Sequence, residues 1–386
     1  MPGDNSQDVV QILAELVEIE SVNPYFPGGA RGEAGMAAYV ANYCKALDLA
    51  VSEQAVLPGR ANVIAELKVP GAERTLLFDV HLDTVSLDAM GPEGLRPRVE
   101  SGRVTGRGSC DDKASLAAML VALRALARSP SGLRANVTLL ASADEEYLMR
   151  GAETFARSGV SVDGAIVGEP TLLRVVTAHK GFVRWTLSTH GVACHSSNPH
   201  LGDNAIYQMA ELLTVLRPRL DELVARRPHH PLVGGATWSV GKISGGASVN
   251  IVPEACSVEI DRRLLPGENS AEVLAELDAL LGEITRERPH LKVSRAEPFG
   301  DVAAIDTPVD NAIVRAAQKG CVEVLGEARP VGVAYGTNAS KFAEVGIPCV
   351  VLGPGDIAQA HTAGEWVAIE QLTKAARIYE AIARAF

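Results

Sequence analysis

Acidic and imidazole side chains stand at recurring places in this 386-residue chain, directly after short apolar runs. His81 and Asp83 follow LLFDV, Glu145 and Glu146 follow VTLLASA, Glu169 follows AIVG, and His361 comes after CVVLG. Asp111 and Asp112 lie in a glycine-rich loop ahead of a helical pattern. In an open α/β sheet the carboxyl ends of the strands share one edge, so these five segments are expected to converge. Carboxylates gathered there with two histidines would not stay charged unless cations neutralised them. Imidazole plus carboxylate is a good ligand set for zinc, and gaps as long as the 30 residues from His81 to Asp111 suit a catalytic site assembled from loops. No H-E-x-x-H occurs, which removes the helix-borne zinc peptidase arrangement.

The elements that must carry these residues follow from periodicity. Helical spacing predicts helices over residues 8–20 and 33–47, and again over 113–127 and 308–324. Strand-like runs cover 62–67, 75–80, 136–141, 165–167 and 348–352. Their alternation predicts an α/β layer with a mixed, mostly parallel sheet. From about residue 180 the rhythm changes to strand 182–189, helix 204–216, strands 237–243 and 255–262, helix 270–284 and strand 291–296. That βαββαβ order is the split, ferredoxin-like unit. The simplest organisation is a discontinuous domain of residues 1–178 and 298–386 with a smaller domain, 179–297, inserted.

Six ordered motifs carry a resemblance: HLDTV at 81–85, GRGSCDDK at 106–113, DEE at 144–146, GEP at 168–170, HSSNPHLGDNAI at 195–206 and GPGDIAQAHTAGE at 353–365. Together they resemble the two-metal (zinc) amidohydrolase and metallopeptidase family of acetylornithine deacetylase, succinyl-diaminopimelate desuccinylase, aminoacylase and carboxypeptidase G. The resemblance implies a zinc-peptidase-like catalytic domain with an inserted lid and dimerisation domain. It also implies two divalent ions, zinc foremost with cobalt or manganese as alternatives: one on His81 and Glu169, the other on Glu146 and His361, with Asp111 bridging. Two divalent cations against three carboxylates and one hydroxide come out neutral, which tolerates burial.

The same resemblance makes Glu145 the general base toward a metal-bridging water, and Asp83 the carboxylate that orients the His81 imidazole. On an extended segment Glu145 and Glu146 would point in opposite directions. His195 stands where the family places a lid histidine that stabilises the oxyanion, often across a dimer interface. Arg263 matches an arginine that binds the substrate carboxylate, with Arg262 competing, and Asn250 and Asn338 match further substrate contacts. Two positions depart from the family pattern: Gly364 stands where Asp or Asn is usual, and Cys110 where a small residue is usual.

The expected activity is therefore metal-dependent hydrolysis of the amide bond in an N-acyl amino acid. The alternatives are a dipeptidase or carboxypeptidase of the same family, or a catalytically inactive metal- or amino-acid-binding protein. Composition agrees with a globular enzyme: 47% of residues are hydrophobic and 22% charged. A net charge of −11 argues against nucleic acid, and no apolar run is long enough to cross a bilayer. MPGDNSQDVV lacks the pattern of a signal peptide, and the six cysteines are scattered as free thiols would be, so a cytoplasmic location is expected; the resemblance implies a homodimer. GPGDIA at 353–358 fits a dinucleotide fingerprint but lies far from a first βα turn, and no G-x-S-x-G elbow occurs.

Overall fold

The computed structural model describes residues 5–88 and 90–386. The chain divides into two compact units: the first runs to Thr177 and resumes over Asp306–Gly332 and Thr337–Phe386, and the second comprises Ala178–Ile305 and Val333–Gly336. The chain stays in the second unit past residue 297, the limit expected from sequence. The reason is that strand Gly300–Val302 pairs antiparallel with Gly181–His190.

The first unit is built on a mixed sheet whose strands run in the order Ala50–Leu57, Arg60–Leu67, Ala135–Ser142, Arg74–His81, Gly164–Val167, Cys349–Val351 and Val175–His179. The middle four, from Ala135–Ser142 to Cys349–Val351, are mutually parallel, while the strands flanking them pair antiparallel. The parallel strands read as unbroken apolar runs because helices cover both faces. Helix Lys113–Arg128, rich in alanine and leucine, is buried over most of its surface and packs against helices Asn5–Glu18 and Ile369–Ala385. On the opposite face, helices Arg150–Ala156 and Ala339–Ala343 meet through Phe155 and Phe342, edge to face at 6.3 Å. Ala50–Leu57, absent from the sequence expectation, joins Arg60–Leu67 through a tight turn at Pro58 and Gly59, where φ is +74°.

The consequence for chemistry is geometric. The four parallel strands end at Ser142, His81, Val167 and Val351, so each delivers its following loop to the same edge.

The second unit is an antiparallel sheet in the order Thr237–Gly245, Ala255–Leu264, Gly181–His190, Val293–Arg295. Helices Ala205–Ala225 and Ser270–Glu287 bury Leu212, Leu216, Leu277 and Ile284 against Val183, Trp185, Val258 and Ile260. The order of elements is the βαββαβ expected from sequence. Helix Ala205–Ala225 continues nine residues beyond the expected end at 216, passing through Pro218, because its apolar face extends to Leu220. Burial of that face outweighs the backbone hydrogen bond that proline removes.

Candidate metal centre

His81 closes strand Arg74–His81 and is buried. Its Nδ1 lies 2.9 Å from the main-chain oxygen of Asp83, which can only accept, so Nδ1 carries a proton. Nε2, the ring nitrogen left for a ligand, is thereby turned toward Asp111, whose Oδ1 is 3.0 Å away. The Asp83 carboxylate is farther from the imidazole, 3.7 Å from Nδ1. The nearer partner of Nδ1 is thus the carbonyl of Asp83.

The Asp83 carboxylate does something else. It accepts the backbone N–H of Glu145 at 3.0 Å, that of Glu146 at 3.1 Å, and the side-chain amide of Asn23 at 2.7 Å. Glu145 and Glu146 lie in a turn and not on an extended segment, which corrects the sequence reasoning about their directions. The turn begins at Asp144, whose φ of +71° is held by Arg60, Arg150 and Asn23 around its carboxylate. From it the two adjacent side chains diverge into different clusters. Ligand atoms of Glu145, His81 and Glu169 all lie within 4.8 Å of one another, and so do those of Glu146, Asp111 and His361.

Asp111 connects the two clusters, since its Oδ1 meets His81 and its Oδ2 lies 3.3 Å from His361 Nε2. Its neighbour Asp112, across a cis peptide bond, is fully buried at the start of helix Lys113–Arg128. Glu365 positions the Asp111 loop. Its buried carboxylate accepts from the backbone of Gly108 (3.1 Å), Cys110 (2.9 Å) and Asp111 (3.0 Å), and from Arg107 Nη1 (2.6 Å). Gly108 has φ +78°, and a Cβ there would come within 2.9 Å of Lys113 Cδ and Thr84 Cγ2, so the loop has room for glycine alone. Cys110 is a buried thiol directed at the Asp356 carbonyl, and Gly364 is exposed with open space around it.

The electrostatics show why this cluster wants cations. Burial, with the charges of Asp111 and Glu145, pushes Glu169 well above the ordinary carboxyl range. Burial likewise pushes Glu145 well up; His81 opposes this, and Glu146, Asp83 and Asp111 add to it. Hydrogen bonds to the Asp111 and Glu146 carboxylates raise His361 to about 10 against the opposing effect of burial. For His81, burial favours the neutral ring, yet Asp111 and Asp83 outweigh it and hold the pKa well above 6.5. Glu146 Oε1 is buried with no hydrogen-bond partner, while its Oε2 faces His361 at 3.2 Å. A buried carboxylate oxygen left unpaired among oxygen and imidazole ligands is what divalent ions would satisfy, so these residues fit such a group.

The remaining expected site residues fall elsewhere. His195 is exposed in the second unit, where its Nδ1 accepts the backbone N–H of Ser197 at 3.1 Å; the neutral ring therefore carries its proton on Nε2. Arg262 is buried and bound to Glu268 at 2.7 Å, whereas Arg263, on the other face of the strand, is partly exposed beside Asp261 at 2.8 Å. Asn250 is exposed and accepts from Ser248. Asn338 is 1% exposed and its amide donates to Asp79 and Ser142, both at 3.0 Å, while its side-chain oxygen has no hydrogen-bond partner. Asn23, Glu365 and Arg107 went unnoticed in the sequence. Of these, Glu365 closes the last quoted motif and could have been suspected, but nothing local marks Asn23.

Comparison with known proteins identifies the family. The model of Peptidase family M20/M25/M40 matches residues 77–385, and the chain belongs to that family. It is 33% identical over 329 residues to an acetylornithine deacetylase of Myxococcus xanthus, covering 82% of this chain and 81% of that one. An acetylornithine deacetylase of Vibrio cholerae is 31% identical over 378 residues, 96% of each chain. Among solved structures, aminopeptidase PepT from Bacillus cereus superposes with a TM-score of 0.78 at 21% identity over 98% of both chains. Human carnosine dipeptidase 1 superposes with 0.76 at 17% identity, over 99% of this chain and 96% of that one. The protein is a hydrolase, a metal-dependent deacylase or peptidase with the fold of that family.

Proposed function

We propose that the protein removes the acyl group from an N-acyl amino acid, holding two zinc ions on His81, Asp111, Glu146, Glu169 and His361. The observation that carries this reading is the pair of clusters joined through Asp111, with Glu145 beside the His81–Glu169 cluster. When bound, such ions supply Lewis acidity toward the scissile carbonyl and lower the pKa of coordinated water. Glu145 takes the proton of the attacking water at a carboxylate oxygen and delivers it to the leaving nitrogen. Its amide is fixed on Asp83, which limits the rotation that would misplace the base. The Nε2–H of His195 is a donor suited to the developing oxyanion. Arg263, more exposed than Arg262 and held through its Nε by Asp261, binds the substrate carboxylate with its terminal nitrogens, with Asn250 a further contact.

A homodimer is part of the same reading. Strand Thr237–Gly245 ends its sheet with Ile243 60% exposed, and Val249 and Tyr207 also stand in solvent. An apolar sheet end of this kind is suited to pairing with a second copy. The inserted unit is then lid and dimerisation domain, and six unpaired cysteines fit the reducing cytoplasm. Among the described residues no helix is long and apolar enough to cross a membrane.

The test is Glu145→Ala, assayed for metal content and for turnover of a panel of N-acyl amino acids and dipeptides by mass spectrometry. Both metals should be retained while turnover falls by about 10²- to 10⁴-fold. Persistent turnover would refute the role of Glu145, and dipeptides cleaved in preference would make the protein a peptidase.

A further inference from the structure

Next to Glu146 the first unit exposes an aromatic stack that the catalytic reading leaves unused. The ring of Tyr147 lies 3.8 Å from that of Tyr25, centroid to centroid, at an interplanar angle of 14°, and Phe26 meets Tyr25 edge-on at 5.4 Å. Tyr25 is 60% exposed and Tyr147 37%, and the Arg150 guanidinium sits 5.5 Å from the Tyr147 ring. Stacked aromatic rings held in water carry large apolar area that a flat ligand group would cover favourably.

The stack is rigidly tied to the proton-moving carboxylate. The Asn23 side-chain oxygen accepts the backbone N–H of Tyr25 at 3.0 Å, while its amide donates to Asp83 at 2.7 Å and to Asp144 at 3.0 Å. The same Asp83 carboxylate receives the amides of Glu145 and Glu146, and Tyr147 is the next residue along. Both tyrosines are therefore referenced to the group that sets the position of the base. A docking site for another protein would have no need of that registration, whereas a substrate subsite would.

We infer that Tyr25 and Tyr147 form one wall of an acyl subsite, so that the preferred substrate carries an aromatic or otherwise flat apolar acyl group in place of a bare acetyl. This rests on the amide-hydrolase reading above. Tyr147 follows the Glu145–Glu146 pair directly, and the acyl group is the part of the substrate joined to the carbonyl under attack. Covering one ring favours such a substrate over acetyl by up to about tenfold.

The experiment compares kcat/KM for the N-acetyl, N-benzoyl and N-phenylacetyl derivatives of one amino acid, using the zinc-loaded full chain and its Tyr25→Ala, Tyr147→Ala and Tyr25→Phe variants. The wild type should prefer the aryl substrates, and either alanine variant should lower the aryl-to-acetyl ratio about tenfold, mainly through KM, while Tyr25→Phe keeps it. An unchanged ratio in both alanine variants overturns the subsite. If the variants instead alter preference among N-acetyl amino acids of different side chain, the acyl assignment is overturned. Should the wild type cleave no N-acyl amino acid, the deacylase reading fails by itself, and binding of phenylacetate followed by NMR decides the subsite. Weaker binding in Tyr25→Ala supports it, and equal binding removes it.

Discussion

Glu365→Gln is the substitution whose effect the structure makes most calculable. The carboxylate receives four donors, three of them backbone amides of the loop that ends at Asp111, and the fourth is Arg107, itself buried. Burial pushes the Glu365 carboxyl up, while the Asp111 and Cys110 amides and the Arg107 charge oppose it. A glutamine keeps the shape but offers one acceptor oxygen, and its NH2 group then confronts N–H donors. Removing one partner of a buried pair costs about 3–5 kcal/mol, because the other charge is left uncompensated. For a unit of this size that loss lowers Tm by on the order of 10 °C. Since Asp111 hangs from the same carboxylate, metal affinity should also weaken by about 10- to 100-fold. Scanning calorimetry of the ion-free and zinc-loaded protein, with titration against a chromogenic chelator, measures both. The double variant Arg107→Met, Glu365→Gln should recover part of the lost stability, though not the metal affinity, because the Arg107 charge is then no longer left unpaired. A Glu365→Gln protein that melts within about 2 °C of the parent and binds zinc equally well would refute the assignment of loop support to this carboxylate.

Two further outcomes follow from the same contacts. His361 has its pKa raised from 6.5 to about 10 in the folded, ion-free chain, so its contribution to stability is complete below about 6.5 and is lost as pH rises through about 10. The ion-free protein should therefore lose stability over that window and the zinc-loaded protein should not; calorimetry near pH 8 in buffers of different ionisation enthalpy should show proton release on zinc uptake. A pH-independent ion-free Tm would contradict the His361 contacts with Asp111 and Glu146. Asn338→Ala removes the donor to buried Asp79 and should cost about 1–3 kcal/mol in stability with KM unchanged, whereas a raised KM in a fully stable variant would mark it as a substrate contact.

The legibility of this protein in its sequence divides along a physical line. The sheet, the inserted βαββαβ unit and the set of residues at one edge could be read because each leaves a local trace: an apolar run, a helical period, or a charged residue directly after a strand. Parallel topology then converts position along the chain into position in space, which is why His81, Glu145, Glu169 and His361 could be grouped before any coordinates. What could not be read depends on long-range contact. Asn23 holds Asp83 across 60 residues, Glu365 holds Asp111 across 254, and neither partner signals the other. The error about Glu145 and Glu146 has the same origin. Strand alternation is a property of a segment by itself, but the turn at Asp144 exists because Arg60, Arg150 and Asn23 surround a residue at positive φ. The bonds from the Asn338 amide to Asp79 and Ser142 are of the same long-range kind and leave no local trace. Motif spacing therefore identifies which side chains are available for chemistry, and the buried polar contacts beneath them decide which of those side chains reach the site.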